Sequence, residues 1–329
     1  MVIIMSENKQ LTFIDFFAGI GGFRCGLEQA GHRCLGYIEN DKYAMKSYRV
    51  MYETGDEFYH DDIATLRADE LPRSDIWAAG FPCQDISIAG RRSGLEGNRS
   101  GLFFEFIRLV NEFKEKDRPD YLILENVKNL LSINGGFDFL RVQIELGESG
   151  YDAEWQVLNA CHYGVPQNRE RLFIIGHNRN RSTRKIFPLT GSTTGTLKQI
   201  IGGAQGQRVY DTNGIAVTLG SQGGGMGANT GLYFIDLSKE NPKITANARC
   251  IQAKYNKGCT NWKGEISGVL VNKRIRKLTT KECFRLQGFP DELFYKAQEV
   301  NSDSQLYKQA GNSVVVPIIK VIGDKMISN

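Results

Sequence analysis

The architecture of the chain is set by residues 11–22, LTFIDFFAGIGG. Leu11–Phe17 is a short apolar run that predicts a strand, and it ends in a glycine-rich turn. Gly22–Ala30 then has the residue pattern of a helix. A strand that passes through a glycine turn into a helix predicts the first unit of a parallel α/β sheet, whose ligands bind beyond the carboxyl ends of the strands.

The same alternation continues through the first half of the chain. Further strands are predicted at Cys34–Ile38, Ile76–Ala79, Tyr121–Leu124 and Leu172–Ile175, and further helices at Lys42–Met51 and around residues 102–113. This order predicts a doubly wound, mostly parallel sheet with helices on both faces.

Polar residues that follow the first strands indicate a cofactor site. Glu39 lies at the end of the second predicted strand, where a carboxylate can accept both hydroxyls of a ribose. A dinucleotide fingerprint would need glycine at position 24, which is Arg24 here. Asp15 precedes the turn and favours a cationic cofactor, such as the sulfonium of S-adenosylmethionine, over a pyrophosphate. Asp62 could accept from an adenine amino group.

A cysteine stands where the strand Ile76–Ala79 ends, in the turn Gly80-Phe81-Pro82-Cys83-Gln84. The glycine-rich loop that follows could close over a substrate, and its arginines could stabilise a thiolate. Glu125 ends the next strand and would lie close to Cys83 if the two strands are adjacent. Arg169 and Arg171 would share one side of an extended segment.

Composition excludes several classes of protein. Of the 329 residues, 41% are hydrophobic and 24% charged, which predicts a packed core. The seven cysteines include no pair spaced as in a zinc ribbon, and an odd number does not favour a disulfide framework. No apolar run reaches the ~18 residues that a membrane span needs, and no signal peptide is expected. We therefore expect a protein of the reducing cytoplasm with no membrane partner.

Charge is concentrated in one segment. Residues 168–276 contain 17 lysines and arginines against 5 acidic residues, a net +12 that leaves −8 on the remainder of the chain. The range 187–271 also contains 15 of the 36 glycines. A basic segment rich in turns favours loops that contact a polyanion, although a solvated surface would have the same charge.

Taken in order, these motifs resemble the DNA (cytosine-5)-methyltransferases, and most closely the short bacterial and phage enzymes of restriction–modification type. The resemblance is carried along nearly the whole chain by residues 17–22, Pro82-Cys83-Gln84, Glu125-Asn126-Val127, Gln167-x-Arg169-x-Arg171, residues 276–290 and Gly311-Asn312-Ser313-Val314. Residues 205–225 look closest to an HhaI-type recognition domain.

The resemblance implies S-adenosylmethionine as methyl donor, S-adenosylhomocysteine as product and no metal. It places donor contacts at Phe17, Gly19, Gly21, Gly22, Glu39, Asp62, Ile63, Gly80, Pro82, Leu102, Asn312 and Val314. It places DNA contacts at Ser87, Arg99, Gln205, Arg208 and Thr218, with Gln205 filling the space of a flipped base and Arg208 reading a guanine edge.

Catalytic roles follow from the chemistry of the reaction. Cytosine C5 becomes nucleophilic once a nucleophile adds at C6, and we assign that addition to the Cys83 thiolate. Glu125 would protonate or hydrogen-bond N3, and Arg171 would hold the base carbonyl. Arg169 would orient the loop and the acid. The base that removes the C5 proton is not identified by the sequence, and water could serve.

The predicted organisation is a catalytic domain, residues 1–186, completed by a C-terminal helix at 304–329, and a loop-rich β recognition domain at 187–303. The partner is double-stranded DNA with a specific short site, bound by a monomer, and a cognate endonuclease would act separately. Two departures from the family are visible. Asn40 replaces an aromatic residue that stacks on adenine, and residues 232–271 differ from the shortest members.

Three other functions compete with this one. A transfer RNA cytosine-5 methyltransferase uses similar motifs, although the basic, glycine-rich segment favours duplex DNA. A nicotinamide oxidoreductase is disfavoured by Arg24, and a catalytically inactive DNA-binding module by the intact Cys83, Glu125 and Arg171.

Overall fold

The computed structural model describes residues 10–81, 101–192 and 278–327, together with the backbone of short strands between residues 199 and 276. The strands of the first half are β1 (Thr12–Phe16), β2 (Arg33–Ile38), β3 (Phe58–His60), β4 (Ile76–Gly80), β5 (Tyr121–Val127), β6 (Tyr151–Asn159) and β7 (Glu170–Asn178). The helices there are α1 (Gly22–Gln29), α2 (Lys42–Met51), α3 (Leu102–Glu112) and α4 (Phe137–Glu148).

These seven strands form one sheet in the order β3-β2-β1-β4-β5-β7-β6. The strands β3, β2, β1, β4 and β5 are parallel, and β7 is antiparallel to both β5 and β6. The predicted doubly wound, mostly parallel sheet is confirmed. The chain order reverses between β1 and β4, and this switch point is where ligands of such sheets bind.

The sheet is covered on both faces. Buried side chains of β1, β4 and β5 alternate between two apolar clusters, so that Ile14 and Phe16 pack with α3 while Phe13 packs towards α1. Because successive side chains of a strand point to opposite faces, a central strand needs apolar residues at nearly every position. This explains why the central strands read as continuous apolar runs in the sequence.

The C-terminal part contains four helices, α5 (Thr280–Leu286), α6 (Asp291–Val300), α7 (Asp303–Asn312) and α8 (Val316–Ile327). The predicted single helix over 304–329 is therefore wrong, because the chain is extended at Ser313, between α7 and α8. Helix α8 lies against α1, where Gly26 allows an approach so close that a Cβ would lie 2.5 Å from the Cβ of Ile319.

Residues 278–303 also pack with the large sheet and not apart from it. Phe284, Phe294 and Ala297 share a buried cluster with Tyr48 and Met51 of α2. The division into domains stays a prediction, but its boundary at 303 is too late, because these helices bury their apolar faces on α2. Phe187 and Leu189 are likewise buried against the sheet, just beyond the boundary at 186.

Between residues 199 and 276 the described backbone consists of short antiparallel strands. They are β8 (Gln199–Ile201), β9 (Val209–Tyr210), β10 (Tyr233–Asp236), β11 (Ser267–Val271) and β12 (Arg274–Arg276). They form a two-stranded and a three-stranded sheet, separate from the large one. Within the ranges described above, every helix is too short or too polar to cross a bilayer.

Candidate active site

A cavity of about 560 Å³ opens at the carboxyl ends of the parallel strands. Most of the described residues predicted for the donor or catalytic site line it, namely Phe17, Gly19, Glu39, Asp62, Ile63, Gly80, Leu102, Glu125, Arg169, Arg171 and Asn312. The sheet topology brings them together, since β1, β2, β4 and β5 all end at this edge.

Glu39 is held by two backbone amides at the end of β2. One carboxylate oxygen accepts from the Gly19 amide at 2.6 Å, and the other accepts from the Asp41 amide at 2.6 Å. Burial raises the pKa of Glu39, although these two N–H groups act in the opposite direction. The carboxylate is fixed in place, and its remaining lone pairs can accept from hydroxyl groups of a ligand.

The turn after β1 contains three glycines with different neighbours. Gly19, with φ +56°, lines the cavity, and a Cβ there would meet nothing within 4 Å. Gly21 and Gly22 are absent from the cavity wall. A Cβ on Gly21 would lie 2.5 Å from the ring of Tyr52, and one on Gly22 would lie 2.6 Å from the Ser313 hydroxyl. Close packing behind the turn, and not contact with the cavity, requires glycine at these two positions.

Val314 does not line the cavity either. Its side chain is buried behind the turn, where a Cβ on Gly22 would lie 2.7 Å from it. A donor contact through the Val314 side chain is therefore unsupported by its position.

Glu125 and Arg171 form an ion pair in the cavity wall. Nε of Arg171 lies 3.1 Å from Oε1 of Glu125, and both side chains are about 15% exposed. Antiparallel pairing of β5 with β7 sets this distance, because Arg171 is opposite Val127, two residues from Glu125 on the same strand face. The pair combines an acid and a cation that can both reach a group placed in the cavity.

The end of β4 lies directly beside this pair. Gly80 is the strand partner of Glu125, and the Asn126 amide donates to the carbonyl oxygen of Phe81 at 2.9 Å. The backbone that leads into Pro82 and Cys83 therefore starts one strand away from the acid. The predicted adjacency of these two strands is confirmed.

Arg169 connects distant parts of the chain and is almost fully buried. One of its terminal nitrogens donates to the carbonyl oxygens of Gly311 at 3.2 Å and Ser313 at 2.8 Å. It thereby attaches the α7–α8 junction to the start of β7, next to Arg171. A guanidinium with several fixed donors suits this arrangement better than the single ammonium of a lysine.

The sequence interpretation of Asp15 needs correction. Asp15 does not line the cavity but is fully buried beneath α1, where burial raises its pKa well above the usual range. Its position does not support a contact with a cationic cofactor. Arg24, which stands where a dinucleotide site has glycine, is also buried and is bound by Glu28 and Glu57.

The cavity wall also contains polar residues that were not predicted as site residues. They are Asp41, Asp61, Asn126, Lys308 and Gln309, whereas Asn40, which also lines the cavity, was predicted to stand beside adenine. Lys308 forms a 2.6 Å ion pair with Asp41, the residue that caps α2. Asp41 and Asp61 lie within two residues of Glu39 and Asp62, which were predicted as donor contacts. Their position just after a strand end would therefore have predicted them as well. No sequence pattern predicts Lys308 as a site residue, because its position depends on how α7 packs against the rest of the fold.

The other predicted site residues lie outside the described residues. They are Pro82, Cys83, Ser87, Arg99, Gln205, Arg208 and Thr218. In the described part of the chain, no three His, Cys, Asp or Glu side chains are grouped so that they could hold a metal ion.

The sequence is similar to known methyltransferases over nearly its whole length. It is 34% identical to the Type II methyltransferase M.HhaI of Haemophilus parahaemolyticus, over 97% of this chain and 96% of that protein. It is 33% identical to the Type II methyltransferase M.HpaII of Haemophilus parainfluenzae, over 97% of this chain and 90% of that protein.

Solved structures share the fold. The Entamoeba histolytica methyltransferase EhMeth superposes with a TM-score of 0.65 at 17% identity, over 97% of this chain and 98% of that one. The S. pombe Dnmt2 methyltransferase superposes with a TM-score of 0.61 at 15% identity, over 96% of each chain. The sequence model of the C-5 cytosine-specific DNA methylases matches residues 11–328, and the chain belongs to that family.

Proposed function

We propose that this protein is a DNA (cytosine-5)-methyltransferase that modifies a cytosine within a specific duplex site, as part of a restriction–modification or phage protection system. One observation carries the proposal. The Glu125–Arg171 ion pair and the fixed carboxylate of Glu39 line the same cavity, and β4 ends beside Glu125 as the chain enters Pro82-Cys83-Gln84.

The cavity suits S-adenosylmethionine by the chemistry of its donor set. Glu39 can accept from ribose hydroxyls, and Asp62 can accept from an adenine amino group, while Ile63 and Leu102 offer apolar contact. Asn40 lines the cavity where the family has an aromatic residue, so adenine lacks that stacking partner. When bound, the donor supplies an electrophilic methyl group on its sulfonium.

The reaction starts at the base, which the protein must first flip out of the duplex at a cost of a few kcal/mol. The Cys83 thiolate bonds to C6, and the ring electrons move towards N3 and C5. Glu125 donates a proton or hydrogen bond to N3, and Arg171 stabilises negative charge at the base carbonyl. After alkylation at C5, a base, a role that water could fill, removes the C5 proton, and re-formation of the C5–C6 double bond expels the thiolate.

Recognition is assigned to the basic, glycine-rich segment. We propose that Gln205 fills the space left by the flipped base, that Arg208 reads a guanine edge, and that Thr218, Ser87 and Arg99 contact the DNA. The protein would act in the cytoplasm as a monomer. Any cognate endonuclease would act separately on the same sequence.

A tritium-transfer assay tests the reaction and its substrate together. With labelled S-adenosylmethionine, we expect label in duplex DNA and none in transfer RNA. Bisulfite sequencing of a plasmid expressed with the protein would then give the modified site. Label in transfer RNA alone would contradict the proposal and support the competing RNA methyltransferase.

Replacing the proposed nucleophile separates catalysis from binding. We expect Cys83→Ala to abolish methyl transfer and leave specific duplex binding nearly unchanged, because only the covalent step is lost. Methyl transfer at the normal rate by this variant would exclude the mechanism.

A further inference from the structure

Tyr52, which directly follows α2, contacts the glycine turn from behind. Its hydroxyl donates to the carbonyl oxygen of Gly21 at 2.9 Å and lies 3.3 Å from that of Ile20. The ring packs against Gly21, which has φ +75° and leaves no room for a Cβ. The ring fixes the position of the turn, and the hydroxyl fixes the direction of its carbonyl groups.

Hydrogen bonds connect this part of the turn to the cavity wall. The Gly21 amide donates to the carbonyl oxygen of Ala18 at 2.7 Å and so closes the turn. Inside the turn, the Gly19 amide donates to Glu39 at 2.6 Å. Three successive hydrogen bonds therefore link the Tyr52 hydroxyl to a carboxylate that lines the donor cavity.

Arg24 holds the Tyr52 ring in place. Its guanidinium lies 4.5 Å from the centre of that ring and 5.4 Å from the ring of Tyr48. Two nitrogens bind Glu57 at 2.6 and 2.7 Å, and a third binds Glu28 at 2.9 Å. A guanidinium fixed by two carboxylates therefore lies over both rings at distances favourable for cation–π contact.

Burial keeps the phenol in the form that donates. Tyr52 is buried, and burial raises the pKa of its hydroxyl well above the usual range. The group therefore stays protonated at physiological pH, and its hydrogen bond to the turn persists.

We infer that Tyr52 is a positioning residue for the methyl donor, holding the glycine turn in its binding shape through the Gly21 carbonyl, with Arg24 and Glu57 as its support. The inference rests on the proposed use of this cavity by S-adenosylmethionine. It also assigns a role to Arg24, which replaces the third glycine of a dinucleotide site.

Tyr48 provides a matched control. It is a second buried tyrosine beside the same guanidinium, but its hydroxyl lies 3.9 Å from the Cys34 sulfur and not on the turn. Tyr52→Phe and Tyr48→Phe each remove one buried hydroxyl from the same cluster. A role in donor binding predicts that only the first affects the turn.

Donor affinity is the first readout. By calorimetry with S-adenosylhomocysteine, we expect Tyr52→Phe to bind about five-fold more weakly, the effect of one lost hydrogen bond, and Tyr48→Phe to bind normally. Turnover at saturating donor and duplex binding should not change in either variant. Normal affinity in Tyr52→Phe, or equal weakening in both variants, would overturn the inference.

Amide hydrogen exchange without donor is the second readout. We expect peptides covering residues 17–23 to exchange faster in Tyr52→Phe than in the unaltered protein or in Tyr48→Phe. Unchanged exchange there would also overturn the inference. If the unaltered protein bound no donor at all, the proposed function would fail, and the exchange result alone would decide whether Tyr52 holds the turn.

Discussion

Single residues in the cavity wall can be compared with close surface neighbours. Glu125 and Glu170 both pair with a cation near the start of β7, but Glu125 is about 15% exposed while Glu170 is 44% exposed and pairs with Lys128. If Glu125 supplies a proton or hydrogen bond to the base, Glu125→Gln should slow single-turnover methyl transfer about 100-fold or more. Glu170→Gln should change it by no more than about two-fold, because exposed ion pairs contribute little.

Donor affinity completes the comparison. Neither Glu125→Gln nor Glu170→Gln should alter the affinity for the methyl donor. Glu125 is proposed to contact the base and not the donor, and Glu170 is an exposed surface residue. A rate for Glu125→Gln within a few-fold of the unaltered rate, measured with tritiated donor, would remove Glu125 from the reaction.

Asp15 gives a prediction about stability and pH. Its carboxyl oxygens are buried with no hydrogen bond of normal geometry to the described residues, and burial raises its pKa. The folded protein keeps this proton at pH values where the unfolded chain has lost it. The contribution of Asp15 to the free energy of unfolding therefore falls as pH rises above the ordinary aspartate range, by up to about 1.4 kcal/mol per pH unit.

Asp15→Asn cannot titrate and removes that fall. Urea unfolding at several pH values should show the stability of Asp15→Asn rising, relative to the unaltered protein, as pH increases. A difference in stability that stays constant across the pH range would mean that Asp15 has no raised pKa.

At the level of secondary-structure elements, the contact between α1 and α8 depends on a glycine. Alanine normally stabilises a helix by about 1 kcal/mol relative to glycine. At Gly26 the new methyl group would lie 2.5 Å from the branched Cβ of Ile319, so we expect Gly26→Ala to destabilise the protein by about 1–3 kcal/mol. Gly147 in α4 is the control, because a Cβ there meets only an Arg179 nitrogen at 3.8 Å.

The two alanine variants should therefore change the free energy of unfolding in opposite directions, as measured by urea denaturation. Stabilisation by Gly26→Ala would show that α1 and α8 are not in close contact.

Elements were predictable where one local pattern decides them. The central strands are buried on both faces, and the apolar runs of β1, β2 and β4 were predicted to within one residue. The strands β5 and β7 extend three residues beyond their predicted ends. The edge strand β6 was missed because its side chains alternate only weakly between apolar and polar. The break between α7 and α8 was missed although Gly311 and Pro317 flank it in the sequence. The carbonyl of Ser313, at the break, is bound by Arg169 from a distant segment.

For the whole molecule, motif order predicted which residues meet, but not why each is needed. Eleven predicted residues line one cavity. Seven of them follow or end parallel strands at one edge of the sheet, and the others come from the start of β7 and from the ends of α3 and α7. Gly21, Gly22 and Val314 belong to the same sequence motifs, but they lie behind the glycine turn and do not line the cavity. Contacts from α2 and the α7–α8 junction decide their roles, and such long-range packing is not readable from a local pattern. The packing of α5 and α6 against α2 is likewise a long-range contact that no local sequence pattern predicts.

The central claim is a transient bond between the Cys83 sulfur and C6 of the target cytosine. A duplex with 5-fluorocytosine at the modified position tests it most directly, because fluorine cannot leave C5 as a cation and the adduct is trapped. Incubated with S-adenosylmethionine, the protein should form a stable covalent complex, and peptide mapping by mass spectrometry should place the bond on Cys83. Attachment at another residue, or no adduct on a site that is methylated normally, would contradict the account.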